Sequence, residues 1–244
     1  MVRLKNVILG DGVPKICVPI VAKSHDEILS EVRKLEETTL DIMEIRGDFF
    51  EDLFDVEKLK TLLNEIRQTS DIPVLFTIRT SGEGGNIEIS YEDYKNILIA
   101  VAGSGYVDAI DVECFLSSAV SELIDEIHKC GIVVVGSNHD FDKTDDKEVL
   151  KRKLRSISEC GADVPKLAVM PQSKDDVISL LMATYEISHE IDKPIITMSM
   201  GKLGVLSRVS GGLFGSAMTF GTNGKASAPG QIEADSLRKI LHLL

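Results

Sequence analysis

At 244 residues, with 43% hydrophobic and 27% charged side chains, the chain has the makeup of a folded protein with one large core, which excludes a disordered one. A formal net charge of −12 and a sequence pI of about 4.9 disfavour nucleic acid and anionic membranes as partners, so an anionic small substrate would need a local basic pocket. The longest apolar stretches, 97–103 and 132–135, fall far short of the roughly 20 residues a bilayer demands, no basic start leads into an apolar signal core, and Cys17, Cys114, Cys130 and Cys160 form no C-x-x-C pair, so the expectation is a reduced, cytoplasmic setting without zinc or disulfides.

In chain order, Val7-Ile8-Leu9-Gly10-Asp11-Gly12 reads as a strand ending in a tight turn, a hairpin that closes the N-terminal mouth of the fold. Eight short apolar runs follow, at 16–21, 42–45, 74–78, 109–112, 132–137, 164–169, 195–200 and 217–221. Between them lie amphipathic stretches with apolar residues at helical spacing, such as Ile28, Val32 and Leu35, then Leu59, Leu62, Leu63 and Ile66. Ser24, Ser90 and Ser173, each followed by acidic residues, supply helix-start signals. Eight βα units in one chain of this length predict a (β/α)₈ barrel, which takes about 250 residues, with an open doubly wound sheet as the second choice. No linker or break in composition divides the chain, so residues 1–244 are expected to form one domain. Gly103-Ser104-Gly105 lacks the third glycine of a dinucleotide fingerprint and precedes a strand instead of following one.

A barrel of this kind carries its chemistry at the C-terminal ends of the strands. The second run ends Glu44-Ile45-Arg46, and strand alternation puts Glu44 and Arg46 on one face. They read either as an opposite-charge pair at the site or as a brace of the barrel mouth. The third run closes on Arg79, with Glu83 following on a glycine-rich turn; a carboxylate there argues against phosphate and suits the orientation of a histidine. Asp111 and Glu113 share a face of the fourth run and read as structural or solvated acids.

The fifth run ends Ser137-Asn138-His139-Asp140-Phe141. Asp140 points away from His139, so these neighbours make a poor triad, whereas an imidazole at a strand end suits general acid–base work. The next run, Val164-Pro165-Lys166-Leu167-Ala168-Val169, sets an ammonium group among hydrocarbon. Lost hydration favours the neutral amine, which attacks carbonyl carbon; the alternative is a lysine that snorkels to water or pairs with a carboxylate. Strands lie about 4.8 Å apart, close enough for His139 and Lys166 to meet over one substrate. Met198 and Met200 share a face, as an apolar wall or as plain core. Arg208 follows, and the small polar stretch 222–231 has the composition of a lid or of an ordinary surface loop.

Taken together, Glu44-Ile45-Arg46-Gly47-Asp48, Phe76-Thr77-Ile78-Arg79, Asn138-His139-Asp140-Phe141, Lys166 and Ala226-Ser227-Ala228-Pro229-Gly230-Gln231 resemble the motifs of the type I 3-dehydroquinate dehydratases, in the family's order and almost end to end. The resemblance implies a (β/α)₈ lyase that uses no cofactor and dehydrates 3-dehydroquinate through an imine, in the shikimate pathway. It implies that Lys166 forms the imine, His139 is the general acid–base group, Glu83 orients His139, and Arg208 grips the substrate carboxylate. Glu44, Arg46, Arg79, Ser227 and Gln231 would hold ring hydroxyls or close the lid. A homodimer is implied as well. One departure is visible: Pro19 stands where some relatives carry a serine facing the substrate. Left open beside this reading are another Schiff-base barrel enzyme such as a class I aldolase, a divalent-metal lyase built on Glu44, Asp111, Glu113 and His139, and a barrel that only binds a related acid.

Overall fold

In a computed structural model, which describes residues 1–224 and 227–244, alternating short strands and amphipathic helices wind into a closed parallel barrel. Its strands are β3 (Lys15–Ile20), β4 (Ile42–Arg46), β5 (Val74–Thr77), β6 (Ala109–Glu113), β7 (Val133–Asp140), β8 (Val164–Val169), β9 (Ile196–Ser199) and β10 (Met218–Thr222). They pair in parallel in the order β10-β3-β4-β5-β6-β7-β8-β9. Closure between β9 and β10 is thin: an isolated parallel bridge joins Ile195 and Ser216, Ala217 N donates to Ile195 O at 2.8 Å, and Ser216 Oγ accepts from Thr197 N at 3.1 Å. This bridge separates the barrel from the open sheet held as second choice. A two-residue strand, β11 (Ile232–Glu233), adds to the outer edge of β10.

The N-terminal hairpin consists of β1 (Val2–Leu4) and β2 (Val7–Leu9), antiparallel with Val2 opposite Leu9. The strand expected at 7–9 is there, but its partner precedes it. The turn is Lys5-Asn6, with Lys5 at φ 52°, and residues 10–12 instead feed the chain into β3. Leu4, Val7 and Leu9 pack against Cys17, Ile42, Leu75, Ala109, Val135 and Val164, the inward side chains at the strand starts. The hairpin therefore plugs the bottom of the barrel, and water is kept from the interior.

The outer layer comprises α1 (His25–Leu35), α2 (Val56–Thr69), α3 (Tyr91–Ala102), α4 (Val120–Lys129), α5 (Lys147–Glu159), α6 (Lys174–Glu190), α7 (Val205–Ser210) and α8 (Ala234–Leu241). Ser24, Ser90 and Ser173 cap α1, α3 and α6, the first and last as reciprocal capping boxes with Glu27 and Asp176; each cap contributes about 1 kcal/mol. Ile28, Val32 and Leu35 of α1 and Leu59, Leu62, Leu63 and Ile66 of α2 are buried against outward strand residues such as Val18, Met43, Ile45 and Phe76. With the outward faces committed to helix packing, alternation sends the other side chains into the barrel. At the bottom those are apolar; toward the C-terminal ends they are Glu44, Asp111, Glu113, Ser137 and Lys166, all 3% exposed or less. Buried charge on this scale persists only where it is paired, and the pairing defines the site.

Candidate active site

Lys166 points inward from β8, 3% exposed. Its surroundings correct the expectation of an amine enclosed by hydrocarbon alone: Nζ donates to Asp111 Oδ2 at 2.9 Å and stands 4.6 Å from the centre of the Phe220 ring. Carboxylate pairing, the alternative weighed above, is thus the resting arrangement. Asp111 comes from β6, two strands away, with β7 between. Burial works to raise the Asp111 pKa, but the Arg79 guanidinium, then Lys166 and His139, outweigh it and hold the carboxyl well below its ordinary range.

Arg79 is the hub of this network. Nη2 donates to Asp111 Oδ1 at 2.7 Å, and Nη1 donates to Glu113 Oε1 and Ser137 Oγ at 3.0 Å each, with Glu83 Oε2 at 3.3 Å. Although burial opposes its charge, Asp111, Glu113 and Glu83 push its pKa well above the ordinary value. A planar fork with five N–H groups is the side chain that satisfies several acids at once. Glu113 also accepts from Thr80 N and Oγ1 at 2.8 and 2.7 Å, and Asp111 from Ser137 Oγ at 2.6 Å. The two acids expected to be structural or solvated are fully buried and hydrogen-bonded within the site.

Glu83 ends a 3-10 turn, Ser81–Glu83, that brings its carboxylate under His139. Oε2 lies 2.9 Å from His139 Nδ1 and accepts from His139 N at 2.9 Å, while Oε1 accepts from Asn138 Nδ2 at 2.9 Å. Gly84, at φ 76°, has no room for a side chain: a Cβ there would lie 2.3 Å from the Phe141 ring, which closes over the turn. Burial, with a smaller contribution from Glu113, raises Glu83 to about 7 against the pull of Arg79. His139 is pushed well below its ordinary value by burial, then by Arg79 and Lys166. A neutral imidazole with Nδ1–H on an ionised Glu83 leaves the Nε2 lone pair facing the cavity, ready to take a proton. Asp140 turns outward, accepting from Asp142 N and Lys143 N, as alternation requires.

Glu44 and Arg46 share the inward face of β4 yet do not pair with each other. Arg46 closes on Asp48 through two 2.8 Å bonds, and Glu44 accepts from Thr77 Oγ1 at 2.8 Å. The two-pronged fit to Asp48 was hidden because Gly47 begins a 3-10 turn that folds Asp48 back over the strand end. Arg208, 1% exposed on α7, is held by Met198 Sδ at 3.8 Å and Pro229 O at 3.1 Å. It makes no ion pair among the described residues, and its Nε is buried without a partner. Burial pulls its pKa down to about 10. An enclosed guanidinium without an anion is a site for one.

Over this floor, Ser227 N and Oγ exchange bonds with the Gln231 side chain at 2.9 and 3.0 Å, and Gly201 N donates to Pro229 O at 3.0 Å. Lys225 and Ala226 of the expected lid lie outside the described residues. All nine side chains singled out from the sequence, Lys166, His139, Glu83, Glu44, Arg46, Arg79, Arg208, Ser227 and Gln231, line one cavity of about 480 Å³, counting the space open to solvent; Met198, Met200, Phe141 and Phe220 add apolar wall. Ser137, Asp48 and Phe220 were not singled out from the sequence, and Asp111 was named only as a ligand of the rival metal lyase. What places Asp111 and Ser137 is the strand register, with Asp111 opposite Thr77 and Ser137 opposite Lys166.

The family model for type I 3-dehydroquinase matches residues 16–244. A 3-dehydroquinate dehydratase from Listeria innocua is 49% identical over 245 residues, covering 100% of this chain and 97% of that one; one from Clostridioides difficile is 46% identical, covering 100% and 96%. Among solved structures, a type I 3-dehydroquinate dehydratase from Clostridium difficile with covalent modified comenic acid superposes with a TM-score of 0.96 at 45% identity, covering 99% and 96%. A 3-dehydroquinate dehydratase from Geobacillus kaustophilus gives a TM-score of 0.97 at 37% identity, covering 100% and 95%. With the family model matching residues 16–244 and a relative 49% identical over the whole chain, the chain belongs to the type I 3-dehydroquinase family.

Proposed function

We propose that the protein is a hydro-lyase that converts 3-dehydroquinate to 3-dehydroshikimate through an imine on Lys166, a step of the shikimate pathway. The observation that carries this reading is the convergence of His139, Lys166 and the anion-free Arg208 on one cavity. Lys166 Nζ attacks the substrate ketone and water leaves, giving a protonated imine, which is an electron sink. His139 Nε2 takes a proton from the adjacent C–H while its electron pair moves into the imine, forming an enamine. The neighbouring tertiary hydroxyl then departs as water with the proton held by His139, and hydrolysis frees the product and the lysine. Glu83 holds the imidazole in place and balances its transient charge. Arg208 grips the carboxylate against the net negative charge of the chain, and Glu44, Arg46, Arg79, Ser227 and Gln231 surround the ring. The covalent adduct named for the Clostridium difficile structure is in keeping with a nucleophile in this cavity.

A homodimer and a cytoplasmic setting belong to the same reading. Ile178, Met182 and Tyr185 form an exposed apolar stripe on α6, suited to a second copy. Among the described residues, no helix is long and apolar enough to cross a membrane. The deciding experiment is borohydride reduction during turnover with 3-dehydroquinate: a mass increment is expected on the Lys166 peptide and on none in Lys166→Met. An unmodified Lys166 peptide, or Lys166→Met turning over at the native rate, would refute the imine route.

A further inference from the structure

We infer that Asp111 is the counter-charge that keeps the imine on Lys166 protonated and aimed, a positioning residue that acts through the lysine; this rests on the imine chemistry proposed above. The ammonium and the protonated imine carry the same charge on the same nitrogen, but the first has three N–H bonds and the second has one. Asp111 Oδ2, 2.9 Å from Nζ, is placed to receive that one. With the N–H fixed toward β6, the imine carbon is turned to the open side of the cavity, where His139 stands two residues farther along β7 than Ser137, the strand partner of Lys166.

The titratable groups facing this nitrogen and its counter-charge are Cys17 from β3, Glu44 from β4, Arg79 from β5, Glu83 from the turn after it, Glu113 from β6 beside Asp111, His139 from β7 and Arg208 from α7. Each rival acid is taken. Glu44 is bound by Thr77, Glu113 by Thr80 and Arg79, and Glu83 by His139 and Asn138. Burial first, then Glu44, pushes the Cys17 thiol well up, so it stays neutral. Among the described residues Asp111 alone sets an oxygen on Nζ, and it cannot swing away, since Oδ1 is fixed by Arg79 Nη2 at 2.7 Å and Ser137 Oγ at 2.6 Å.

Proton and electron accounting leaves Asp111 ionised throughout. The C–H proton goes to His139, the C–H electron pair becomes the C=C bond of the enamine while the C=N π pair withdraws onto nitrogen, and the N–H proton stays on nitrogen. A carboxyl held this far below its ordinary range is a poor acceptor for that proton. By sharing the carboxylate charge, Arg79 also keeps it from stabilising the protonated imine so strongly that the neutral enamine becomes inaccessible.

The test is Asp111→Asn, which preserves shape and an acceptor oxygen while removing the charge. The alkaline limb of kcat against pH is expected to move to lower pH by roughly 1 to 3 units, because an imine without its counter-charge loses its proton sooner. A limb that stays in place, whether or not kcat falls uniformly, overturns the inference, since a merely structural defect lowers kcat without moving the limb. Should the variant not fold, ζ-¹⁵N-lysine labelling of the wild-type protein reads the imine directly during turnover. A protonated imine persisting above neutral pH is expected, and deprotonation at neutral pH overturns the inference. Borohydride trapping of the wild-type protein runs alongside: no Lys166 adduct sinks the imine reading itself, whereas an adduct with an unmoved limb sinks only the role of Asp111.

Discussion

Glu83→Gln should make the protein more stable and less active, and the gain in stability should grow with pH. Burial lifts the Glu83 carboxyl from an ordinary 4.5 to about 7, so between those values the folded state holds a proton that the unfolded chain releases. Relative stability tied to this group is complete below about pH 4.5 and is lost as pH rises through about 7, because the slope of unfolding free energy with pH is negative wherever the folded state binds more protons. Two and a half units correspond to about 3 kcal/mol. A glutamine cannot ionise and escapes this cost. Its amide also finds partners: one oxygen can still accept from His139, and Asn138 Oδ1, buried without a partner, can accept from the new NH₂ once the Asn138 amide turns over. Arg79 keeps Asp111 and Glu113, so no buried cation is orphaned. Urea unfolding at acid, neutral and alkaline pH should show near-equal stabilities at the acid end and a variant more stable by about 3 kcal/mol at the alkaline end, or roughly 6 to 12 °C in Tm. Turnover should fall by roughly 10²-fold as His139 loses its balancing charge. A gap that does not widen with pH would refute the assignment of Glu83 as the costly carboxylate.

His139→Ala should cut turnover by roughly 10²-fold or more while borohydride still attaches substrate to Lys166; loss of the adduct as well would mean that the imidazole is needed before the proton transfer. Arg208→Ala should raise KM by about 10²-fold, the worth of a two-pronged bond to a carboxylate, with a smaller change in kcat; an unchanged KM would show that another cation binds the anion. In Gly230→Ala a Cβ at φ 82° would lie 2.4 Å from Gly201 O, so steady-state kinetics should show a raised KM with little change in Tm, and native kinetics would show that this stretch does not cover the substrate. Leu9→Ala, at a fully buried position of the plug, should cost about 2 to 5 kcal/mol in urea unfolding and leave the kinetic constants unchanged, because the hairpin lies at the opposite end of the barrel from the chemistry.

What the sequence alone determined is local in origin. Period-two alternation put Glu44 with Arg46, Asp111 with Glu113 and Ser137 with His139 on shared strand faces, helical spacing gave Ile28, Val32 and Leu35 one apolar face, and serines followed by acids marked where α1, α3 and α6 begin. These features are set by backbone geometry within a few residues, so they can be read from a string. The hairpin was half legible for the same reason: the strand at 7–9 was visible, but its turn needed Lys5 in a left-handed conformation that composition does not announce.

The tertiary structure decided who pairs with whom. Asp111 and Lys166 are 55 residues apart, and Arg79 collects acids from its own turn and from β6; neither partnership leaves a trace in the spacing of either segment. Arg46 chose Asp48 over Glu44 because a turn swung one carboxylate into bidentate range while Thr77 claimed the other. Arg208 was left without an ion pair among the described residues when the closing barrel buried it beside Met198 and Pro229, an arrangement its own segment does not announce. Inside a barrel, electrostatic partners are fixed by the curvature that brings nonadjacent strands together, and the energy of each charge depends on every neighbour within a few ångströms, so its chemistry belongs to the assembled fold.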